Sequence, residues 1–454
     1  MDVKGRKFSV MGLGRSGLAA VRLLVRKGAE VFASDVKERS ELTAEADELE
    51  GLGVGLEFGR HSERILESET IVVSPGVRSD IPILKRAREE SKSVISEVEL
   101  AFSFLECPIV AVTGTNGKTT TAALINHVLE REGFHTALGG NIAPGVPLSD
   151  LVGRSLDFAI VEVSTFQLET IDRFRPHVGV LTNIAPDHLD RHGSFEEYKK
   201  LKARLFSNQT AQDFAVLNAD DEYVMDATEA VRSRRVFFST SEVVDVGVWV
   251  AEGDIRFRMS KRSGRICSSS EIALKGEFNL ENSLAASAVC LLLGVGEKTI
   301  AEALASFGGV VHRLEEIGEM GGISFVNNSM CTNPTAAAKS LTAFSEPLVL
   351  IVGGKDKGFC TDPLVKGVVD KAKYVVLIGE VADRLSKELE AAGFRRYESA
   401  SSMSDALKKA YAAAASGDTI LLCPGFASFD MFRNFEERGF AFKEAFAQLK
   451  SKSQ

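Results

Sequence analysis

A glycine-rich loop between a predicted strand and a predicted helix constrains this chain more than any other feature. The loop reads G-T-N-G-K-T-T over residues 114–120, between an apolar run at 108–112 and a segment at 122–132 with helical periodicity. Glycines let backbone N–H groups converge, and the helix start adds partial positive charge, so a polyphosphate is favoured there. We predict that Lys118 reaches the β- and γ-phosphates of a nucleotide and that the Thr119 hydroxyl faces a bound Mg²⁺. A simple Gly/Thr turn that contains a lysine is the alternative.

Length and composition favour a globular protein of three domains. The chain has 454 residues, too many for one ordinary core, and a net charge of −9, which argues against a general nucleic-acid or acidic-membrane partner. Its six cysteines show no C-x-x-C spacing, so we expect reduced thiols and a cytoplasmic location. No apolar run reaches the roughly 18 residues that a membrane span needs.

A second glycine motif, G-x-G-x-x-G at 12–17, follows a short predicted strand at 8–11. The next predicted strand, 30–34, ends at Asp35, and this spacing is typical of a turn that holds a nucleotide diphosphate and a ribose. A nicotinamide oxidoreductase, a domain for another nucleotide diphosphate, and glycines that serve only packing all fit the motif. A further predicted strand runs into the turn S-P-G-V at 74–77, on the edge where such sheets bind ligands.

Two more strand ends are predicted to lie at the same sheet edge as the phosphate loop. The apolar strand 158–163 carries Glu162 near its end, and the strand 178–183 leads to His188. A carboxylate in an apolar strand is costly to bury unless a cation meets it. Together with a hydroxyl, the carboxylate and the imidazole suit Mg²⁺ or Mn²⁺ beside phosphates. A surface-facing glutamate and a structural histidine are the alternatives.

The rest of the chain continues the α/β alternation after a short antiparallel section predicted at 237–274. Asn279 and Asn282 lie three residues apart at the start of a predicted helix. Their amides could pair with a purine edge or merely cap the helix. A third domain is predicted to begin near residue 308, and its loops carry several basic residues whose charges either bind a ligand or are solvated.

Taken together, these motifs resemble those of the Mur ligase family over nearly the whole chain. The specific segments are G-T-N-G-K-T-T at 114–120, G-N-I at 140–142, E-V-S-T-F-Q-L-E at 162–169, N-I-A-P-D-H-L-D-R at 183–191, N-L-E-N at 279–282 and H-R-L-E at 312–315. Those most similar to the members that add D-glutamate are G-L-G-R-S-G-L-A-A at 12–20, S-P-G-V at 74–77 and F-A-S-F-D-M-F-R-N-F-E-E-R-G at 426–439. The resemblance implies three α/β domains: a Rossmann-like domain over 1–95, a central ATPase-like parallel sheet with a small antiparallel section over 96–310, and a Rossmann-like domain over 311–454.

The resemblance also implies roles for particular residues. ATP would be bound by the phosphate loop and three other segments, through Gly114, Thr115, Asn116, Gly117, Lys118, Thr119, Thr120, Asn279, Asn282, Arg313 and Asn328. Magnesium, with two ions expected, would be held by Thr119, Glu162, His188 and Lys202, the lysine as a carbamate. The UDP-linked substrate would be bound by Arg15, Ser16, Asp35, Ser74, Gly76 and Asn141, and the amino acid by Thr332, Lys357, Ser428 and Phe435.

The activity implied by the resemblance is ATP-dependent addition of D-glutamate to UDP-N-acetylmuramoyl-L-alanine in peptidoglycan precursor synthesis. The substrate carboxylate would become an acyl phosphate, with Lys118, Glu162, His188 and Lys202 as the catalytic residues. The partners would be small molecules, without nucleic acid or membrane, and the protein is expected to be a monomer.

The chain departs from the family pattern in its third domain. The motif N-D-S-K-x-T-N is replaced by N-N-S-M-C-T-N at 327–333, so Asn328 stands in place of an acid and Met330 in place of a lysine. A related ligase for a different carboxylate or amino acid, and a non-catalytic ATP-binding subunit, are therefore the alternatives. An oxidoreductase would depend on residues 12–17 alone.

Overall fold

The computed structural model describes residues 1–142, 145–274, 276–356 and 358–452. The chain divides into two compact units, Met1–Phe307 and Gly308–Gln454. The division lies close to the predicted start of the third domain. Lys357, predicted to bind the amino acid, lies outside the described residues.

The first unit begins with a five-stranded parallel sheet in the order β3-β2-β1-β4-β5. Its strands are β1 Lys7–Met11, β2 Glu30–Ser34, β3 Gly55–Glu57, β4 Thr70–Val73 and β5 Ser93–Ser96, and its helices are α1 Arg15–Arg26, α2 Thr43–Gly51, α3 Pro82–Glu89 and α4 Glu97–Phe102. The strand order reverses at β1, between β2 and β4. A crevice therefore opens at the carboxyl ends of these strands, where parallel sheets bind ligands.

The same unit contains a nine-stranded sheet in the order β14-β13-β12-β11-β10-β9-β6-β8-β7. Its strands are β6 Ile109–Thr113, β7 Thr136–Gly140, β8 Phe158–Glu162, β9 Val178–Leu181, β10 Phe214–Asn218, β11 Arg234–Ser239, β12 Gly247–Ala251, β13 Asp254–Met259 and β14 Arg262–Ser268. Its helices are α5 Lys118–Glu132, α6 Thr165–Leu168, α7 Leu189–His192, α8 Phe195–Ala203, α9 Glu222–Ala227, α10 Glu277–Leu292 and α11 Glu297–Ser306. Every residue of β6 is buried, as expected for a strand covered on both faces.

The predicted antiparallel section is smaller than expected. β11 pairs in parallel with both β10 and β12, so the antiparallel pairs are limited to β12 with β13 and β13 with β14. The prediction was wrong at its first strand, because short alternating strands carry no sign of their direction. One apolar core runs through both sheets, since residues from Val3 to Val224 form a single cluster.

The second unit is built on a six-stranded sheet in the order β15-β16-β20-β17-β18-β19. Its strands are β15 Glu315–Met320, β16 Ile323–Asn327, β17 Leu348–Gly353, β18 Ala372–Ile378, β19 Tyr397–Ala400 and β20 Thr419–Gly425, and its helices are α12 Pro334–Leu341, α13 Asp362–Lys371, α14 Ala382–Ala391, α15 Met403–Ala413 and α16 Phe435–Lys452. Only β15 runs antiparallel to its neighbour, so this unit is also an α/β sheet with helices on its faces. The predicted α/β fold class is confirmed.

The cysteines agree with the expected reduced thiols, although not all of them lie in the core. All six are free, but Cys360 is exposed and Cys107 is half-buried, whereas the other four are buried. Among the residues that the structure describes, no helix is both long and apolar enough to cross a membrane.

Candidate active site

The phosphate loop needs both of its glycines for steric reasons. Gly114 has φ +150° and Gly117 has φ +81°, conformations that side chains disfavour. A Cβ on Gly114 would lie 1.9 Å from the Thr182 hydroxyl oxygen, and one on Gly117 would lie 2.2 Å from Oδ1 of Asn282. Gly117 is also the residue before the first turn of α5. The loop therefore passes closely between the end of β9 and the start of α10.

The end of β9 holds the loop in place. The backbone N–H of Thr115 donates to the Asn183 carbonyl at 2.9 Å, and that of Asn116 donates to Oδ1 of Asn183 at 2.8 Å. The Thr182 hydroxyl donates to the Asn116 carbonyl at 2.6 Å. Asn183 was not assigned a role from the sequence. Its position at a strand end beside the loop is the one signal that could have indicated it.

Lys118 lies over its own loop. Its ammonium donates to the carbonyls of Gly114 at 3.0 Å and Thr115 at 2.9 Å. Lys118 is also the first residue of α5. Its ammonium is suited to bind phosphate oxygens, because both its charge and the helix N-terminus favour anions.

Thr119 and Glu162 are in direct contact. Thr119 donates to Oε2 of Glu162 at 2.7 Å, and the amide of Asn141 donates to Oε1 at 3.1 Å. Glu162 is only 3% exposed, so two neutral donors meet the buried carboxylate where the sequence predicted a cation. A hydroxyl and a carboxylate at the end of a phosphate loop are hard oxygen donors, and this donor set fits Mg²⁺.

Lys202 is buried near these groups on α8. It is 2% exposed, and its ammonium lies 4.5 Å from the centre of the Tyr198 ring. In the described part of the chain it has neither a hydrogen bond nor an ion pair. Burial lowers the pKa of Lys202 well below its usual range, and the charge of Lys118 lowers it further, against the opposing effect of Asp187 and Glu162. Both effects favour the neutral form of the amine relative to that of a lysine in water.

His188 lies just before α7. Its backbone is left-handed, with φ 51°, and its ring packs 5.0 Å from the Phe166 ring. Nε2 is 3.7 Å from the Asp187 carboxylate, and the side chain is half exposed. No group of three or more His, Cys, Asp and Glu side chains is gathered at any point of the described ranges. A cation here would thus also need the Thr119 hydroxyl or a modified Lys202.

A cavity of about 560 Å³ lies at the crevice of the first sheet. All six residues predicted for the UDP-linked substrate line it, namely Arg15, Ser16, Asp35, Ser74, Gly76 and Asn141. Asn141 lines the cavity and also hydrogen-bonds to Glu162, so one residue connects the cavity wall to the carboxylate beside the phosphate loop.

Asp35 shapes the first glycine turn. Its carboxylate accepts the backbone N–H of Leu13 at 2.6 Å and that of Lys37 at 2.9 Å. Arg15, which lines the cavity, donates to the backbone carbonyl of Gly145. His61, which the sequence did not indicate, also lines the cavity and contacts the Ser34 hydroxyl at 2.8 Å. Burial lowers the pKa of His61, which favours its neutral form.

The two asparagines of α10 lie beside the phosphate loop. Asn282 accepts the Thr121 hydroxyl at 3.1 Å, and its amide donates to Oδ1 of Asn279 at 3.4 Å. Asn282 is 6% exposed. The predicted ATP-binding residues of the first unit are thus brought together around residues 114–120.

The second unit groups the other predicted residues around two loops. Asn328 is buried, with its amide donating to Ser340 at 3.0 Å and its oxygen accepting the N–H of Leu314 at 3.2 Å. A contact between Asn328 and ATP would require these bonds to open, and it stays a prediction. Ser428 is buried as well, whereas Thr332, Phe435 and Arg313 are half-buried.

Arg438 organises these loops although the sequence did not indicate it. Its guanidinium donates to the Ser329 hydroxyl at 3.1 Å, the Ser329 carbonyl at 2.9 Å and the Phe426 carbonyl at 3.0 Å. It is 1% exposed, and burial lowers its pKa to about 10. It joins the segment at 327–333 to the segment at 426–439.

Comparisons with known proteins identify the family of the chain. Residues 6–96 match the Mur ligase MurD-like N-terminal domain, residues 112–290 the Mur ligase middle domain, and residues 312–426 the Mur ligase glutamate ligase domain. The chain belongs to the Mur ligase family, a family of ATP-dependent ligases that form amide bonds.

Several relatives share the particular name UDP-N-acetylmuramoylalanine–D-glutamate ligase. The protein of this name from Pelotomaculum thermopropionicum is 44% identical over 452 residues, which cover 99% of both chains. That from Geotalea daltonii is 42% identical over 452 residues, again 99% of both chains. Among solved structures, UDP-N-acetylmuramate-alanine ligase MurC from Thermotoga maritima superposes with a TM-score of 0.56 at 20% identity, covering 99% of this chain and 100% of that one. MurF from Acinetobacter baumannii gives a TM-score of 0.57 at 17% identity, covering 96% and 93%. These two likenesses concern the fold.

Proposed function

We propose that the protein joins D-glutamate to UDP-N-acetylmuramoyl-L-alanine, with hydrolysis of ATP to ADP and phosphate, in peptidoglycan precursor synthesis. The full-length relatives that carry this activity in their name support the choice of substrates. The observation that carries the chemistry is the contact between Thr119 and Glu162 at the end of a phosphate loop, next to a cavity that Asn141 shares.

A carboxylate does not react with an amine at neutral pH, so the L-alanine carboxylate must first be activated. It attacks the γ-phosphorus of ATP, ADP leaves, and an acyl phosphate forms. Lys118, whose ammonium is held over the phosphate loop, is proposed to neutralise charge on the transferring phosphoryl group. The amine of D-glutamate then attacks the acyl carbon, loses a proton, and expels phosphate to leave an amide. Neither step changes an oxidation state, so the reaction needs no oxidant or reductant.

Magnesium, when bound, would supply charge neutralisation for the triphosphate and for the acyl phosphate. The residues proposed to hold it are Thr119, Glu162, His188 and Lys202, with Lys202 as a carbamate. Two observations support the carbamate: Lys202 is 2% exposed, and in the described residues no carboxylate pairs with it. A neutral amine can add CO₂, whereas an ammonium cannot. The carbamate carries a negative charge on oxygen, which suits a hard cation.

The cavity residues Arg15, Ser16, Asp35, Ser74, Gly76 and Asn141 are proposed to bind the UDP-linked substrate. In the second unit, Thr332, Ser428 and Phe435 are proposed for D-glutamate. In the first unit, Asn279 and Asn282 are proposed to contact ATP.

The decisive experiment measures phosphate release from ATP with Mg²⁺ and UDP-N-acetylmuramoyl-L-alanine across a panel of amino acids. Release that depends on D-glutamate, with the amide product seen by mass spectrometry, is the expected result. Dependence on a different amino acid would overturn the choice of D-glutamate and point to the replacement at Met330. Replacing Lys118 with Ala should abolish turnover, whereas replacing Lys200 with Ala, whose side chain is 70% exposed, should not.

A further inference from the structure

Arg191 connects three segments of the first unit, namely its own segment after His188, the turn at 74–77 and the segment at 166–169. It is the third residue of α7, which follows His188. Its Nη1 donates to the Pro75 carbonyl at 2.9 Å, and its Nη2 donates to the Val77 carbonyl at 3.2 Å. Residues 75–77 line the cavity, so Arg191 binds the backbone of one cavity wall.

The same guanidinium is held on its other side by Glu169. Nε and Nη2 of Arg191 donate to the two carboxylate oxygens of Glu169 at 3.2 and 3.0 Å. The guanidinium also stacks 4.0 Å from the centre of the Phe166 ring. Both charged side chains are nearly buried, at 13% and 9% exposed. The bidentate ion pair and the contact with Phe166 fix the orientation of the guanidinium. Its donors therefore cannot move away from the 74–77 turn unless the ion pair with Glu169 breaks.

The 74–77 turn, in turn, fixes the first glycine turn. Ser74 donates to the Gly12 carbonyl at 2.7 Å. A Cβ on Gly12 would lie 3.0 Å from both Ser74 Cβ and Val77 Cγ2, so the two turns are in tight contact. A displacement of residues 75–77 would therefore change both walls of the cavity.

We propose that Arg191 is a positioning residue that sets the shape of the cavity for the UDP-linked substrate and ties it to the segments bearing Glu162 and His188. The assignment of this cavity to that substrate rests on the proposed function. Arg191 would act indirectly, through its hydrogen bonds to the backbone of the 74–77 turn. Loss of the Arg191 side chain should weaken binding of the UDP-linked substrate much more than binding of ATP.

The test compares Arg191→Met and Arg191→Lys with a matched control, Arg204→Met. Arg204 also donates to two backbone carbonyls, those of Glu169 at 2.9 Å and Ile171 at 2.8 Å, but it does not bind the 74–77 turn. For Arg191→Met we expect KM for UDP-N-acetylmuramoyl-L-alanine to rise about tenfold or more and KM for ATP to stay within about threefold. Arg191→Lys should give a smaller rise, and Arg204→Met should lower thermal stability while leaving both KM values within about threefold.

Calorimetry with UDP alone gives a readout that does not require turnover. UDP affinity should fall in Arg191→Met by a factor similar to that of KM, and Glu169→Gln, which keeps the shape of the pair, should give a weaker loss of the same kind. Equal changes in both KM values, or an equal rise of the UDP-substrate KM in Arg204→Met, would overturn the proposal. A wild-type protein that binds UDP but does not turn over would instead contradict the proposed function.

Discussion

The Thr119 hydroxyl donates a 2.7 Å hydrogen bond to Oε2 of Glu162, which joins the phosphate loop to the end of β8. The two residues are 43 positions apart in the sequence, and parallel pairing of β6 with β8 brings them together. The loop proposed to bind phosphates and the carboxylate proposed to bind a cation are thereby held at one sheet edge.

We expect Glu162→Gln to lower kcat at least about 100-fold and to raise the Mg²⁺ concentration needed for half-maximal activity, because the amide keeps the shape but loses the charge. The measurement is phosphate release over a magnesium titration. Thr119→Ser, which keeps the hydroxyl, should retain most activity. A magnesium dependence unchanged in Glu162→Gln would contradict a role of this carboxylate in metal binding.

Lys202→Ala should lose activity, because no carbamate can form on alanine. If the carbamate supplies the missing oxygen ligand, then acetate or formate should restore part of the activity at millimolar concentration. Lys199→Ala is the control, since Lys199 pairs with Asp226 at 2.6 Å and should affect stability rather than turnover. Restoration by methylamine but not by acetate would show that the lysine acts as a cation.

Glu97 gives a pH dependence of stability. It is 1% exposed, and burial raises its pKa to about 7 from 4.5, while the backbone N–H of Ser149 donates to it at 2.6 Å. Between these two pH values the folded chain holds a proton that the unfolded chain releases, so the contribution of Glu97 to stability falls as pH rises from 4.5 to about 7.

Glu97→Gln should therefore raise the free energy of unfolding at pH 8 by up to about 3 kcal/mol, an advantage that should disappear below about pH 4.5. Denaturant unfolding at several pH values provides the measurement. Glu99→Gln should destabilise at all of them, because the Glu99 carboxylate accepts three backbone N–H groups, from Asp172, Arg173 and Phe174. A constant difference between wild type and Glu97→Gln at every pH would refute the assignment.

Arg438→Met should destabilise the second unit by about 3 kcal/mol, because it leaves buried carbonyls of Ser329 and Phe426 without a donor. We also expect a higher KM for the amino acid, since both loops carry residues proposed to bind it. Arg433→Met is the matched control: Arg433 is 87% exposed and should change stability by less than about 0.5 kcal/mol. An amino-acid KM unchanged in Arg438→Met would separate this arginine from the binding loops.

The sequence predicted the fold well where apolar runs are bounded by small residues. β2 begins and ends where it was predicted, and β4 ends where predicted, directly before the turn at 74–77, because small residues follow each apolar run. β7, with the sequence T-A-L-G-G, was missed, since two glycines at 139 and 140 indicate a turn rather than a strand. Close approach explains those glycines: a Cβ on Gly140 would lie 2.3 Å from the Glu162 carbonyl oxygen.

Only those residues of the candidate site that belong to a local sequence motif could be predicted. Lys118, Thr119 and Glu162 stand in recognisable local patterns at strand ends. Asn183, Arg191 and Arg438 lie within the family-like segments at 183–191 and 426–439, but they act through contacts with residues far away in the sequence, and those segments do not identify the partners. The hydrogen bond from Asn141 to Glu162 was likewise unpredictable, because Asn141 follows β7, a strand that was not expected.

The position of β6 between β8 and β9 has a consequence for synthesis on the ribosome. Residues 114–117 emerge first, and the strands that support them, ending at Glu162 and Leu181, are translated later. Until Thr182 and Asn183 have been made, the nascent loop lacks the groups that fix its curvature. Nucleotide binding can therefore stabilise the sheet only after these residues have been made, and a chain that ends before them is not stabilised by nucleotide.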